Sequence, residues 1–220
     1  MERQDFDYSS AADAFTEERS TWKQIWDSIC TELLPDRKNW FGGIFSIVLA
    51  LVLSAILATS KDTVFLSQNI CGILMDVQIA IFGCIFAVYS ILLAFLSDSY
   101  VERLLRIDYD SQSSYLKAST RYYESALLIY FVAILLSLSC KLLLECMPEY
   151  YALTSNNVLN EILAGILLFA YLLFSIRVIY ELKSIITNTL LLFRTSIQYK
   201  ILDFSEKYRN EFGHNSEEDK

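Results

Sequence analysis

The chain has 220 residues, of which 54% are hydrophobic and 20% charged, and its formal net charge is −8. Soluble domains have about 45–50% apolar and about 25% charged residues, and here the apolar residues are grouped in blocks, so the composition favours a helical membrane protein. With 2 Pro and 6 Gly the chain is poor in turn residues. Its single histidine, His214, leaves little histidine for catalysis or metal binding. Its negative charge argues against nucleic acid as a partner.

The first 39 residues predict an amphipathic cytoplasmic helix rather than a secretory signal, because they are acidic and have no continuous apolar region. One helical face carries Phe15, Trp22, Ile25, Trp26, Ile29 and Leu33. The segment has five basic and nine acidic residues, so anionic lipid would repel it. We therefore expect Trp22, Trp26 and Ile29 to form a binding face for a cytoplasmic partner protein.

Four apolar segments are each long enough to cross the hydrocarbon core of a bilayer, which is about 30 Å thick and takes about 20 helical residues. They lie at residues 40–59, 77–97, 125–146 and 158–180. The predicted fold is therefore all-α: a polytopic membrane protein with four transmembrane helices, for which the lipid bilayer is the first partner.

The distribution of Lys and Arg predicts the orientation of these spans. Fifteen of these residues lie before the first span, between the second and third, or after the fourth, whereas Lys61 and Lys141 lie on the other side. Both termini are thus expected in the cytoplasm, and the chain is expected to be a multi-pass protein of a bacterial plasma (inner) membrane. The same pattern is compatible with a eukaryotic origin.

Small residues recur along the first two spans, and close packing between membrane helices depends on small residues. The first series is Gly42, Ser46, Ala50, Ser54 and Ala58, and the second includes Gly83, Ala87, Ser90 and Ala94. These series predict that the two spans pack tightly, either with each other or across the interface of a homo-oligomer.

Charged residues avoid the middle of the spans. Candidate residues of an acidic outer vestibule on an ion path are Asp76, Gln78, Lys141, Glu145 and Glu161. If a pore is present, this local excess of acid would favour cations; the alternative is that these residues only anchor helix ends. Near the inner face, Arg177 and Glu181 are four residues apart and are expected to pair. The absence of a chain of buried carboxylates argues against a proton-coupled transporter.

The remaining segments predict a helical cytoplasmic collar. Residues 98–124 form a hairpin with a turn at 108–114, and residues 183–212 continue the fourth span as one helix on the order of 80 Å long, at about 1.5 Å per residue. The apolar series of that continuation is Ile186, Leu190, Phe193, Ile197, Ile201, Phe204 and Tyr208. Its heptad-like spacing is typical of helices that assemble into bundles. Residues 213–220 are expected to be disordered.

Five cysteines are present, and two of them, Cys71 and Cys146, lie near the outer face. They are a candidate disulfide, the alternative being two unpaired thiols that serve as small apolar side chains. The sequence contains no C-x-x-C pair, glycine-rich phosphate loop, G-x-S-x-G elbow or H-E-x-x-H motif. We therefore expect no catalytic site, no cofactor and no bound metal.

The stretch IFGCIFAVYSILLAFLSDSYVERLL, followed by a polar turn and a second helix, resembles small bacterial four-helix membrane proteins, some of which are membrane components of antiphage defence systems. The resemblance covers residues 60–145 and assigns a role to no single residue. It implies either a membrane-perturbing effector or the membrane anchor of a partner. Two hypotheses follow: an oligomeric effector with a gated pore in a bacterial defence or stress system, and a non-conducting anchor or scaffold that recruits a cytoplasmic partner.

Overall fold

The computed structural model describes residues 20–33, 40–95, 108–110, 113–148 and 156–213. Within these ranges the helices are α1 (Thr21–Ser28), which continues as a π-helical segment (Ile29–Leu33), α2 (Trp40–Ala58), α3 (Thr63–Phe95), α4 (Tyr115–Glu145) and α5 (Asn157–Gly213). Two short strands, β1 (Asp108–Asp110) and β2 (Ser113–Ser114), pair in antiparallel orientation. The helices α2, α3, α4 and α5 are each long and apolar enough to cross a membrane, which confirms the helical membrane architecture.

The second and third membrane helices extend well beyond the apolar segments that predict them. α3 begins at Thr63 and α4 at Tyr115, whereas the apolar segments begin at residues 77 and 125. A hydropathy pattern ends where polar residues begin, but a helix continues until a residue breaks it, and the only prolines are Pro35 and Pro148. Asp76 therefore lies within α3 and not at its start.

A short ribbon occupies the turn expected between the second and third spans. Asp108 lies opposite Ser114 and Asp110 opposite Ser113, and α4 follows directly after β2. The fold is thus all-α apart from this ribbon. Residues 96–107 of the predicted hairpin and residues 214–220 of the predicted disordered tail lie outside the described residues.

The helix α5 is continuous over 57 residues, about 85 Å at about 1.5 Å per residue. This confirms that the fourth span continues as one helix. Among the side chains that the structure describes, Leu192 is the last buried one on α5, and beyond it Ile197, Ile201 and Phe204 are each more than half exposed. In the described residues, this end of α5 projects past the buried part of the bundle with its apolar side chains uncovered.

The membrane helices form two closely packed antiparallel pairs, α2 with α5 and α3 with α4. In the first pair, Gly42 lies against the ring of Tyr180, and Ala58 lies against Gly165 at the other end of α2. Of the two alternatives for the small residues of the first two spans, packing of these spans on each other is not the main contact of α2 in the structure. Its small residues face α5, and α3 packs mainly on α4 although only four residues join α2 to α3.

The N-terminal segment packs on one end of the bundle. Ile29 and Leu33, in the π-helical segment, are partly buried against a cluster that includes Tyr123, Ile185 and Leu192. α1 itself lies against α4. The segment that precedes the first span is thus held on the same end of the bundle from which α5 projects.

Candidate functional site in the bundle interior

Three side chains from three helices form a buried hydrogen-bonded chain in the middle of the bundle. The hydroxyl of Tyr171 on α5 donates to Oγ of Ser137 on α4 at 3.0 Å, and Ser137 donates to Oε1 of Gln78 on α3 at 2.8 Å. All three side chains are buried. Lipid offers no hydrogen bonds, so bonds of this kind are among the specific forces that join membrane helices. We call Gln78, Ser137 and Tyr171 the central polar chain.

Two further hydrogen bonds fix the relative direction of α4 and α5. The hydroxyl of Tyr130 donates to the carbonyl oxygen of Val178 at 2.9 Å, and the hydroxyls of Tyr123 and Thr189 lie 2.8 Å apart. From Ser137 to Tyr123 the residue numbers on α4 decrease, whereas the numbers of their bonded partners on α5 increase from Tyr171 to Thr189. These two helices are therefore antiparallel.

The helix α3 is antiparallel to α4 as well. Gln78 meets Ser137, and farther along, the rings of Tyr89 and Tyr123 stack with centroids 5.9 Å apart. Since both α3 and α5 run opposite to α4, α3 and α5 run parallel to each other. Positions along these two helices can thus be compared directly as levels in the bundle.

Several buried polar atoms have no hydrogen-bond partner in the described part of the chain. They are Oγ of Ser67, Nε2 of Gln78, Oγ of Ser175 and Nη1 of Arg177. Ser67 and Gln78 share one face of α3 because eleven residues make just over three full helical turns, and Ser175 is one turn beyond Tyr171 on α5. An unsatisfied buried polar group costs about 1–3 kcal/mol, so a row of them requires an explanation.

An ion pair lies beyond Ser175 on α5, at one end of this polar region. Nη2 of Arg177 is 2.9 Å from Oε1 of Glu181, which confirms the predicted pair, and both residues are buried at 6% and 9% exposure. Nε of Arg177 donates to the carbonyl oxygen of Leu33 at 2.9 Å, and its guanidinium lies 5.7 Å from the centre of the Tyr180 ring. A charged group inside the bundle therefore holds the N-terminal segment to α5.

The five vestibule candidates do not form one group. Asp76, Glu145 and Glu161 are exposed and Lys141 is half-buried, whereas Gln78 is fully buried. Asp76 and Gln78 are two positions apart, which is about 200° around a helix, so Asp76 faces away from the bundle interior. In the described residues no ion pair joins Lys141 to Asp76 or Glu161. The structure thus places Gln78 in the central polar chain and separates it from the acidic residues.

The two small-residue series have opposite environments. All five residues of the first series are buried, and a Cβ added at Gly42 would overlap the ring of Tyr180. In the second series Gly83, Ala87 and Ser90 are exposed, and a Cβ at Gly83 would meet no atom within 4 Å. The side chain of Ala94 lies outside the described ones. We call Gly83, Ala87 and Ser90 the open α3 face.

Only part of the predicted partner-binding face is exposed on the surface of the structure. Trp22 and Trp26 are 80% and 67% exposed, but Ile29 is partly buried against the inner core. Trp22 and Trp26 are therefore open to a partner, whereas Ile29, at the start of the π-helical segment, is covered by the bundle. Phe15, from the same predicted face, lies outside the described residues.

The cysteines at the candidate disulfide are free thiols in the structure. Cys71 is buried among apolar residues that include Leu57 and Leu172, whereas Cys146 is exposed beyond the end of α4. The alternative of two unpaired thiols is thus the one that the structure contains. The described residues include no cluster of three or more His, Cys, Asp or Glu side chains that could hold a metal ion.

No protein-family model, no curated protein and no solved structure matches the chain.

Proposed function

We propose that the protein is an oligomeric membrane effector that makes the membrane permeable, as part of a bacterial defence or stress response. Its spans cross the plasma membrane with both termini in the cytoplasm. The single observation that carries the oligomeric part is the open α3 face. The orientation rests on the fifteen Lys and Arg residues on the side of the termini.

The open α3 face offers a surface to a second copy. In lipid, helices associate where small residues let backbones approach, because burying Leu against Leu gains little over lipid. The first small-residue series already serves this purpose within the chain, against α5. Gly83, Ala87 and Ser90 have the same character but are left exposed by the described part of the chain, so contact with another copy is the expected use.

The projecting part of α5 supports the same conclusion. Its exposed Ile197 and Ile201 follow Ile186 and Leu190, which precede the buried Leu192, at an interval of eleven residues. An eleven-residue repeat keeps one apolar stripe in contact between helices that wind around each other with a right-handed supercoil. These four residues are each at least half exposed, and copies inserted in one membrane would present them in parallel at one level.

Cross-linking and mass measurement test the assembly. The protein extracted in mild detergent is expected to give a discrete oligomer, and Gly83→Leu is expected to shift it towards monomer by filling the open α3 face. The matched control is Val77→Leu, an exposed position about 120° away around α3. A wild-type monomer, or an oligomer that Gly83→Leu leaves intact, would contradict assembly through this face.

Reporter fusions test the orientation. A periplasm-active enzyme fused after Lys220 is expected to be inactive, whereas the same enzyme inserted after Lys61, in the turn between α2 and α3, is expected to be active. The reversed pattern would place the termini outside.

A second candidate function, a non-conducting anchor, is favoured by the exposure of Trp22 and Trp26. Two large aromatic side chains one turn apart, both largely exposed, are typical of the centre of a protein-binding surface. The double variant Trp22→Ala with Trp26→Ala is expected to release a partner that co-purifies with the wild-type protein, while Lys23→Ala retains it. Retention of the partner by the double variant would remove this role.

A further inference from the structure

All three tryptophans of the chain lie near one end of the bundle. They are Trp22 and Trp26 on α1 and Trp40, the first residue of α2. Each is at least two-thirds exposed, so the described part of the chain leaves most of each ring uncovered. Tryptophan is enriched at the surface of the bilayer, because its ring is apolar and its N–H group can still reach water. The level of these residues relative to the membrane therefore indicates what covers them.

The helix α2 marks one edge of the hydrocarbon core. It has 19 residues and no charged side chain, and at about 1.5 Å per residue it is about 28 Å long. The hydrocarbon core is about 30 Å thick, so α2 crosses it with no residues to spare and Trp40 lies at one edge. Gly42 lies against the ring of Tyr180. Tyr180 on α5 is therefore at this edge as well.

The N-terminal segment is attached at the same level. Arg177 is three residues before Tyr180 on α5, or about 4.5 Å, and its guanidinium lies 5.7 Å from the centre of the Tyr180 ring. Nε of Arg177 donates to the carbonyl oxygen of Leu33 at 2.9 Å, so Leu33 lies close to the edge marked by Trp40. The π-helical segment follows α1 directly. Trp26, seven residues before Leu33, is therefore at most about 10 Å from that level.

The tryptophan side of α1 is turned away from the bundle. On the bundle side, Ser28 is buried and Ile29 is partly buried against the core, and α1 lies against α4. Trp22 and Trp26 are one turn apart and remain exposed. The headgroup region adds about 5–8 Å on each side of the hydrocarbon core, so the indole ring of Trp26 is within reach of it. We call Trp22 and Trp26 the tryptophan face of α1.

We propose that the tryptophan face of α1 rests in the headgroup region of the bilayer beside Trp40, so that its partner is a lipid surface. α1 contains one basic and one acidic residue, and the contact depends on the indole rings and not on lipid charge. This inference goes beyond the proposed function, because it holds for a single copy of the chain. It assigns lipid to a surface that the second candidate function assigns to a protein. Since Arg177 holds Leu33, the lipid contact is joined to the buried ion pair.

Tryptophan fluorescence tests the contact directly, because the chain has three tryptophans in all. Three variants of the full chain each keep one of them and carry phenylalanine at the other two positions; Trp22→Phe with Trp40→Phe keeps Trp26. Each is placed in phosphatidylcholine vesicles whose acyl chains carry bromine, a contact quencher, either near the headgroup or near the chain end. We expect each variant to lose more than half of its emission with the shallow bromine and less with the deep bromine. The wild-type chain should give the same result for the three rings together.

Two reference positions calibrate the depth, in a chain whose native tryptophans are all replaced by phenylalanine. Val48→Trp lies on an exposed side of α2, eight residues or about 12 Å deeper than Trp40, and the deep bromine should quench it most. Lys207→Trp lies at an exposed position on the projecting part of α5, and neither bromine should quench it. Circular dichroism checks that each variant keeps its helical content.

Quenching by acrylamide from the water phase completes the test. Strong quenching by shallow bromine with weak quenching by acrylamide supports the lipid contact of Trp22 and Trp26. Strong quenching by acrylamide alone places both rings in water, overturns the proposal and leaves the face free for a protein partner. Protection from both quenchers shows that protein covers the rings and overturns it as well. The mass of the same preparation is measured in parallel: a monomer with lipid quenching contradicts the oligomer and keeps the contact, and a discrete oligomer without it does the reverse.

Discussion

The Nε atom of Arg177 donates a 2.9 Å hydrogen bond to the carbonyl oxygen of Leu33, a residue 144 positions earlier in the chain. The same guanidinium pairs with Glu181. One side chain on α5 thus links a buried ion pair to the segment that carries Trp22 and Trp26. Any partner that pulls on that segment acts on a buried charge pair.

Removing Arg177 is expected to destabilise the bundle. Arg177→Ala leaves the carboxylate of Glu181 buried without its partner, a change that costs about 3 kcal/mol, and it frees the Leu33 carbonyl. Thermal unfolding in detergent measures the loss, and faster proteolysis at Lys23 reports release of the N-terminal segment. Lys183→Ala, at an exposed position on the same helix, serves as control.

The double variant Arg177→Met with Glu181→Leu separates the effect of the buried charges from the effect of the hydrogen bond between Arg177 and Leu33. It removes both buried charges and is expected to recover most of the thermal stability, yet the N-terminal segment remains sensitive to protease because the bond to Leu33 is lost. If the double variant is as unstable as Arg177→Ala, the ion pair itself contributes net stability and the desolvation argument is wrong.

Gly42→Ala is expected to disrupt the contact between α2 and α5. Its new Cβ would overlap the ring of Tyr180, and overpacking of this kind costs about 2 kcal/mol. The control is Gly165→Ala, whose Cβ would lie 3.5 Å from that of Ala58, an ordinary contact. Thermal unfolding should show a loss in the first variant and a change within about 0.5 kcal/mol in the second.

Shortening Tyr180 should relieve that overlap. In a double-mutant cycle, Gly42→Ala combined with Tyr180→Ala is expected to lose less stability than the sum of the two single losses, because the ring that the Cβ meets is absent. Strict additivity would show that Gly42 and Tyr180 are not in contact.

Truncation after Thr195 is expected to separate folding from assembly. Among the side chains that the structure describes, Leu192 is the last buried one on α5, so the shortened chain should keep its thermal midpoint. It should lose part of its self-association, because the exposed Ile197, Ile201 and Phe204 are removed. Light scattering in detergent measures the mass, and an unchanged oligomer would exclude this part of α5 from the interface.

Cys71 and Cys146 are expected to react very differently. A bulky maleimide should label the exposed Cys146 in the native protein, whereas the buried Cys71 should react only after unfolding in detergent. Peptide mass spectrometry without reductant identifies each site. A peptide pair joined through Cys71 and Cys146 would instead establish the disulfide.

Local features of the fold could be predicted from the sequence. Apolar length predicts the four membrane helices, the absence of Pro predicts the unbroken α5, and a spacing of four predicts the pair of Arg177 and Glu181. In each case the physical cause acts within one segment of the chain. The π-helical segment at Ile29 is a local feature that no pattern indicated.

The central polar chain could not be predicted in the same way. Its hydrogen bonds join residues 59 and 34 positions apart, and they depend on which helices are neighbours. Its position near the outer edge of the second span places Gln78 among the vestibule candidates, but Gln78 and Asp76, two positions apart on a helix, face opposite directions. The recurrence of Ser67, Cys71 and Gln78 on one helical face was the signal that would have placed Gln78 inside the bundle.

The continuity of α5 makes it a mechanical lever. Between Gly165 and Gly213 the helix has neither Gly nor Pro, the residues at which helices most often bend. Tyr171, Arg177 and Phe204 therefore belong to one stiff rod. A twist or displacement applied to its free end would reach the hydroxyl of Tyr171 without being absorbed by a hinge, and could break or reseat its bond to Ser137.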